Sequence, residues 1–215
     1  MSKLTWYYKE WKQWNDDVRP NNNVITNLTI LYLANKQLTQ INISNLTNLT
    51  IIYLNFNKLT QIDVSNNINL TELSLACNEL TQIDVSKLTN LTILSLHNNE
   101  LTQINVSNLT NLINLSISNN QLIQIDVSKC TNLKYLNLSD NQLTQVDISN
   151  LINLQELNIE NNQLTQINFG NLTNLRELSI RNNQLIQPLY YSYKIYDVNI
   201  ITYNNYRCYI ITDFI

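Results

Sequence analysis

The sequence predicts a stacked solenoid, and three observations predict it. The first is a fixed period: Leu28, Leu49, Leu70, Leu91, Leu112, Leu133, Leu154 and Leu175 stand 21 residues apart without a slip. A repeat of this length marks an array of units that stack on one another. The second is the pattern inside each period, as at Leu91, Leu94 and Leu96, followed by Asn99 and Leu101. Alternation at Leu94-Ser95-Leu96 sends two leucines to one side and the serine to the other, the period-two signature of a strand. The third is that one unit cannot stand alone. It buries about seven apolar groups at ~1.5–3 kcal/mol each, whereas ordering its chain costs ~1.5 kcal/mol per residue. Neighbours must close its open faces.

Composition narrows the function classes. Of 215 residues only 13% are charged, so solubility rests on Asn, Gln, Ser and Thr. The net charge of −3 is too small to argue for nucleic acid or an anionic membrane. A single glycine in the chain excludes phosphate-cradling loops and dinucleotide fingerprints. Cys77, Cys130 and Cys208 are odd in number and far apart, which reads as a reduced chain. No signal-peptide pattern and no apolar run of ~18 residues is present. The expectation is a cytoplasmic protein whose N-x-S/T triplets, such as Asn90-Leu91-Thr92, are a by-product of the repeat.

Residues 1–26 lie outside the period. Leu4, Tyr7, Tyr8, Trp11, Trp14 and Val18 recur every three or four positions, which predicts an amphipathic helix ended by Pro20. Its plain role is an amino-terminal cap over the open core of the first unit. The alternative is a partner-binding helix, because all three tryptophans of the chain sit there.

Each unit from residue 27 to about residue 188 reads L-x-x-L-x-L-x-x-N-x-L, followed by L-T-Q-I-D/N-V/I-S. This resembles the leucine-rich repeat family over eight units, and its second half is similar to a 21-residue class common in bacterial proteins. The resemblance implies an α/β-type solenoid, a right-handed superhelix with a parallel sheet on its concave face, a surface commonly used to bind proteins.

Several rows follow from the register. Asn57, Asn78, Asn99, Asn120, Asn141, Asn162 and Asn183 form a ladder at the turn leaving each strand, with Lys36 in that place in the first unit. An amide there can satisfy backbone groups that would otherwise be buried and unpaired. The row from Gln40 to Gln187 would stack amides ~4.8 Å apart, close enough to bond one another as a spine on the convex side. Between the two, Ile104 and its counterparts should point inward. The row Asn42, Asp63, Asp84, Asn105, Asp126, Asp147 and Asn168 reads either as a calcium-binding stack or as a solvated edge whose carboxylates accept turn hydrogen bonds. Asn67 and Cys130 replace inward leucines, so Cys130 reads as a buried, inert thiol.

The remaining variation lies at outward strand positions, and these are the candidate binding residues. Ile30, Tyr32, Ile51, Tyr53 and Phe56 form an apolar group on adjacent strands. It reads as an interface, or as side chains pairing across strands or lying under the cap. Asp140, Glu156, Glu160 and Glu177 form an acidic group that would suit a basic partner segment, with Arg181 placed to pair with Glu160. His97 and Tyr135 complete the set. His97 and Cys77 could in principle make a thiolate–imidazole pair, but no orienting group or oxyanion hole accompanies them. Residues 189–215, rich in tyrosine, read as strands or a hairpin around Asn204-Asn205 that cap the stack, or as a sticky aromatic surface. The expected function is non-catalytic protein binding through the sheet, by a monomer without cofactor or metal. A structural or decoy repeat without a specific partner is the alternative.

Overall fold

The structure is a computed structural model that describes residues 27–170 and 172–185, and the backbone of residues 199–200. Eight three-residue strands follow one another: Ile30–Tyr32 (β1), Ile51–Tyr53 (β2), Glu72–Ser74 (β3), Ile93–Ser95 (β4), Asn114–Ser116 (β5), Tyr135–Asn137 (β6), Glu156–Asn158 (β7) and Glu177–Ser179 (β8). They pair in chain order as one parallel sheet, and each residue lies beside its counterpart one period later, as Leu94 beside Leu115. A ninth strand, Asn199–Ile200 (β9), adds to β8 in the same sense. The molecule is a parallel β-solenoid.

Alternation along each strand explains the sheet. The central residue, Leu or Ile, is buried in all eight strands from Leu31 to Leu178. The anchoring leucines from Leu49 to Leu175 are buried with them, in a single core that runs the length of the array. Leu28, in the first unit, is only partly buried.

One expectation is corrected. The α/β description does not hold among the described residues, where no helix occurs. The return path carries β-branched residues on an extended segment, then closes through successive single turns. In one unit the amide of Leu88 donates to the carbonyl of Val85 at 2.9 Å, and that of Leu91 to Leu88 at 3.0 Å. These bonds span three residues each and do not continue as an i to i−4 ladder, so the return path forms separate turns and not an α-helix. The amino-terminal helical cap, Gln187, Pro188 and the tyrosine-rich hairpin lie outside the described residues. No helix among the described residues is long and apolar enough to cross a membrane.

Side-chain amides tie the turns to one another. Asn99 accepts at Oδ1 from the amide of Leu80 at 3.0 Å, and its Nδ2 donates to the carbonyls of Leu75 and Leu96, each at 3.0 Å. Asn78, Asn120, Asn141 and Asn162 repeat this arrangement and are buried. A further asparagine row, beside the anchoring leucines, works similarly: Asn90 Nδ2 donates to the carbonyl of Ile68 at 3.1 Å and Asn111 to Thr89 at 2.9 Å. Threonine hydroxyls add a third tie, as Thr92 to the carbonyl of Thr71 at 3.0 Å. Each unit is thus bonded to its neighbour by backbone, by two asparagines and, over β2–β4, by a hydroxyl.

The residue before the ladder position is left-handed in every unit: Asn35, Phe56, Cys77, Asn98, Asn119, Asp140, Asn161 and Asn182 have φ between 52° and 56°. Asn and Asp tolerate this conformation; a Phe or Cys does so at a cost. The first unit has an additional left-handed residue, Gln37, beside Lys36. Its turn lacks the ladder amide and is shaped differently from the rest.

Candidate surfaces on the sheet and the return path

The amino-terminal end of the sheet is apolar and open. Tyr32 is 63% exposed, Phe56 60% and Ile30 48%, while Ile51 and Tyr53 are half-buried. Tyr32 and Tyr53 meet edge to face, with ring centroids 5.8 Å apart. Tyr53 is also tied down. Its hydroxyl donates to Glu72 at 2.5 Å, and this bond to a carboxylate, with partial burial, pushes the phenol up to about 12. Tyr53 therefore contributes a ring to the surface but no free hydroxyl.

The centre of the sheet is lined by small residues, and part of it is closed. Ser74, Ala76 and Ser139 are buried although they stand at outward positions. Ser74 Oγ donates to Asn55 Oδ1 at 2.6 Å. His97 is half-buried, its Nδ1 lies 3.0 Å from Ser95 Oγ, and burial holds its pKa below the ordinary value, so the ring is neutral near pH 7. Cys77 accepts from Asn98 Nδ2 at 3.3 Å. Imidazole and thiol are each engaged with a different neighbour, and the structure does not bring them together as an acid–base pair.

The carboxyl-terminal end is acidic. Glu156 and Glu177 lie side by side in register on β7 and β8, and both are exposed. Glu160 is paired with Arg181 at 2.8 Å. Asp140 is exposed and accepts from Asn161 Nδ2 at 2.7 Å. Tyr135 is half-buried on β6, its hydroxyl 3.4 Å from Asn137 Nδ2. The two expected groups thus occupy opposite ends of the sheet, about 30 Å apart at ~4.8 Å per strand.

A second surface follows the return path. A recess of ≈ 2120 Å³ runs from Gln40 to Leu185, lined by the Gln row, the Ile row and the Asp/Asn row. Here one expectation changes. The Gln side chains are exposed and do not bond one another among the described residues. Ile83, Ile125 and Val146 point inward and are buried, and Ile62, Ile104 and Ile167 pack partly buried against the same core. On the opposite wall each Asp or Asn makes a local turn: Asp84 Oδ1 accepts from the amide of Ser86 at 2.9 Å and Asp126 from that of Ser128 at 3.0 Å. Hydrogen bonds from these serines hold the carboxyls of Asp84, Asp126 and Asp147 below the usual range. No group of three or more His, Cys, Asp or Glu placed to hold a metal ion occurs among the described residues.

Cys130 is buried in the same core row as Asn67. Burial raises its thiol to about 11, and its Sγ lies 3.5 Å from the carbonyl of Val106.

Family models for leucine-rich repeats match residues 110–153, as two copies, and residues 90–112 and 153–175, as single repeats. The chain is a leucine-rich repeat protein. Its leucine-rich repeats are about 21 residues long. Among solved structures it is similar to the functional domain of InlJ from Listeria monocytogenes, with 31% identity, a TM-score of 0.66, and coverage of 75% of this chain and 41% of that one. A leucine-rich repeat protein from Leptospira interrogans shares 31% identity at a TM-score of 0.69, over 77% of this chain and 46% of that one. Internalin C2 from Listeria monocytogenes shares 29% at a TM-score of 0.63, over 78% and 77%. The chain thus spans less than half the length of the first two. No curated protein sequence matches it.

Sequence reasoning missed three features of this leucine-rich repeat array: the left-handed row, the second asparagine row and the recess. The first two left a signal. Six of the eight left-handed positions are Asn or Asp. Asparagine also recurs without exception one place before each anchoring leucine, from Asn27 to Asn174.

Proposed function

We propose that this chain is a protein-interaction module that binds its partner on the outward face of the parallel sheet, the concave side in its family, and catalyses no reaction. The observation that carries the reading is Phe56. Its backbone is left-handed, where most units place Asn or Asp, and its ring is 60% exposed. An aromatic residue there costs stability and gains no burial, which favours a role outside the stack. Ile30 and Tyr32 supply the rest of an apolar anchor, and Glu156 and Glu177 at the far end favour a partner that also carries a basic segment. His97, Tyr135, Asp140, Glu160 and Arg181 would line the course between or beside them. The array from residue 27 to 188 acts as one binding body, as a monomer.

Affinity capture with the wild type and with a Tyr32→Ala/Phe56→Asn/Glu156→Ala variant tests the proposal. Loss of the captured proteins in a variant that still unfolds cooperatively is expected. An unchanged set of partners would sink it.

A further inference from the structure

Granted the sheet-face reading proposed above, we infer that the partner presents an α-helix of about twenty residues, laid across the strands. Its basic amino-terminal end lies over Glu156 and Glu177, and its apolar carboxyl-terminal end over Tyr32 and Phe56.

The form follows from where the polar groups of this face are spent. Ser74 Oγ donates to Asn55 Oδ1, and the same oxygen accepts from the amide of Ala76 at 3.1 Å. Asn137 and Asn158 turn their Oδ1 atoms back to the amides of Ser139 and Glu160, at 3.0 and 3.1 Å. Ser95 is engaged with His97, and Glu160 with Arg181. The backbone groups of the strands pair within the sheet. An extended segment carries a free N–H and C=O at nearly every residue, and contact with such a face would strip them of water with few partners in return. A helix arrives with its backbone bonds already made. The outward side chains midway along the sheet, such as Ser95, Ser116 and Ser118, are small and raise no wall in its path.

Length and direction follow from the two ends. Tyr32 and Phe56 stand on or beside the first two strands, and Glu156 and Glu177 on the last two of the eight. Six strand steps of ~4.8 Å make about 30 Å, the length of ~20 helical residues. Glu156 and Glu177 are adjacent and exposed, and neither has an ion-pair partner among the described residues, because Arg181 is taken by Glu160. Like charges on neighbouring strands cost stability, and a cationic partner removes that cost. The start of a helix supplies unbonded N–H donors and the positive end of the helix dipole. Lys or Arg side chains from its first turns reach the same carboxylates.

Selection from a displayed library of random peptides of about twenty residues tests this, with counter-selection on the Tyr32→Ala/Phe56→Asn/Glu156→Ala variant. Enriched peptides should carry Arg or Lys in their first turns and Leu, Ile or aromatic residues at helical spacing in their last turns. They should gain helical circular dichroism on binding. For an enriched peptide, Glu156→Gln/Glu177→Gln, altered only at exposed positions, should weaken binding about ten-fold or more at low salt. A proline placed at the peptide's centre should weaken it at least as much. No enrichment, the opposite order of charged and apolar residues, a period-two pattern, or indifference to the proline would overturn the inference. If the triple variant loses its captured proteins while no such peptide is enriched, the sheet face stands and the helix falls; an unchanged set of captured proteins removes both.

Discussion

Asn67 donates from Nδ2 to the carbonyl of Leu46, one turn earlier, at 2.8 Å, while its own Oδ1 is buried without a partner. The position belongs to leucine in most units: Leu46, Leu88, Leu109, Leu151 and Leu172 are all buried there. A solvent-excluded acceptor without a donor costs ~1–3 kcal/mol. The carbonyl of Leu46 already receives the amide of Leu49 at 3.2 Å, so it is not orphaned by removal of the asparagine. Asn67→Leu should raise stability by ~1–2 kcal/mol, read as a higher denaturant midpoint. A lower midpoint would mean that the site cannot hold the extra methyl groups.

The buried ladder should be far less tolerant. Asn99→Ala leaves the amide of Leu80 and the carbonyls of Leu75 and Leu96 without their side-chain partner. The loss should be ~2–5 kcal/mol. Asn183, at the end of the row, is only half-buried although it makes the same bonds. Water can replace its partners, so Asn183→Ala should cost less than Asn99→Ala in the same chemical denaturation measurement.

Gly170 stands where other units carry serine, and its φ is +51°. A Cβ there would lie 2.5 Å from the carbonyl oxygen of Ser149 and 2.9 Å from its Cα, both of them backbone atoms that cannot swing away. Gly170→Ala should therefore destabilise by ~1–3 kcal/mol. Thermal unfolding followed by circular dichroism would show it as a lower midpoint, and an unchanged midpoint would show that the neighbouring turn shifts freely.

Tyr53 and Glu72 give a pH-dependent signature. The bond to the carboxylate favours the neutral phenol in the folded state and lifts it from 10.0 to about 12. A raised folded pKa contributes stability that is complete below the unfolded value of 10.0 and is lost as pH climbs through about 12. Ultraviolet titration of the folded protein should show one tyrosine ionising late, and Glu72→Ala should return it toward 10.0. If the alkaline titration is the same in both proteins, the hydrogen bond does not form in solution.

Most of the architecture was legible because leucine and asparagine recur with no slip, and a strict register leaves one way to stack. Inward leucines such as Leu94 and Leu96 announced themselves by alternation. The left-handed row was harder to see. In Asn98-Asn99 the first residue serves the backbone and the second its side chain, and a doublet of one residue type hides that division of labour. Phe56 was visible as a member of the apolar group and Cys77 as a neighbour of His97, but their backbone conformation was not. Ile104 was expected inward and packs partly buried against the core, while Ile83 and Ile125 in the same row are buried. The apolar and acidic groups were separable in sequence only because fixed strands convert a 21-residue step into a lateral one.

The core and the amide ladders hold the stack together, and sheet-face residues such as Phe56 serve something other than stability. Equilibrium denaturation of Phe56→Asn tests this most directly. Asparagine suits the φ of 56° and removes an exposed ring, so the free energy of unfolding should rise by about 1 kcal/mol. A fall in stability would show that the ring supports the fold, and would contradict the account.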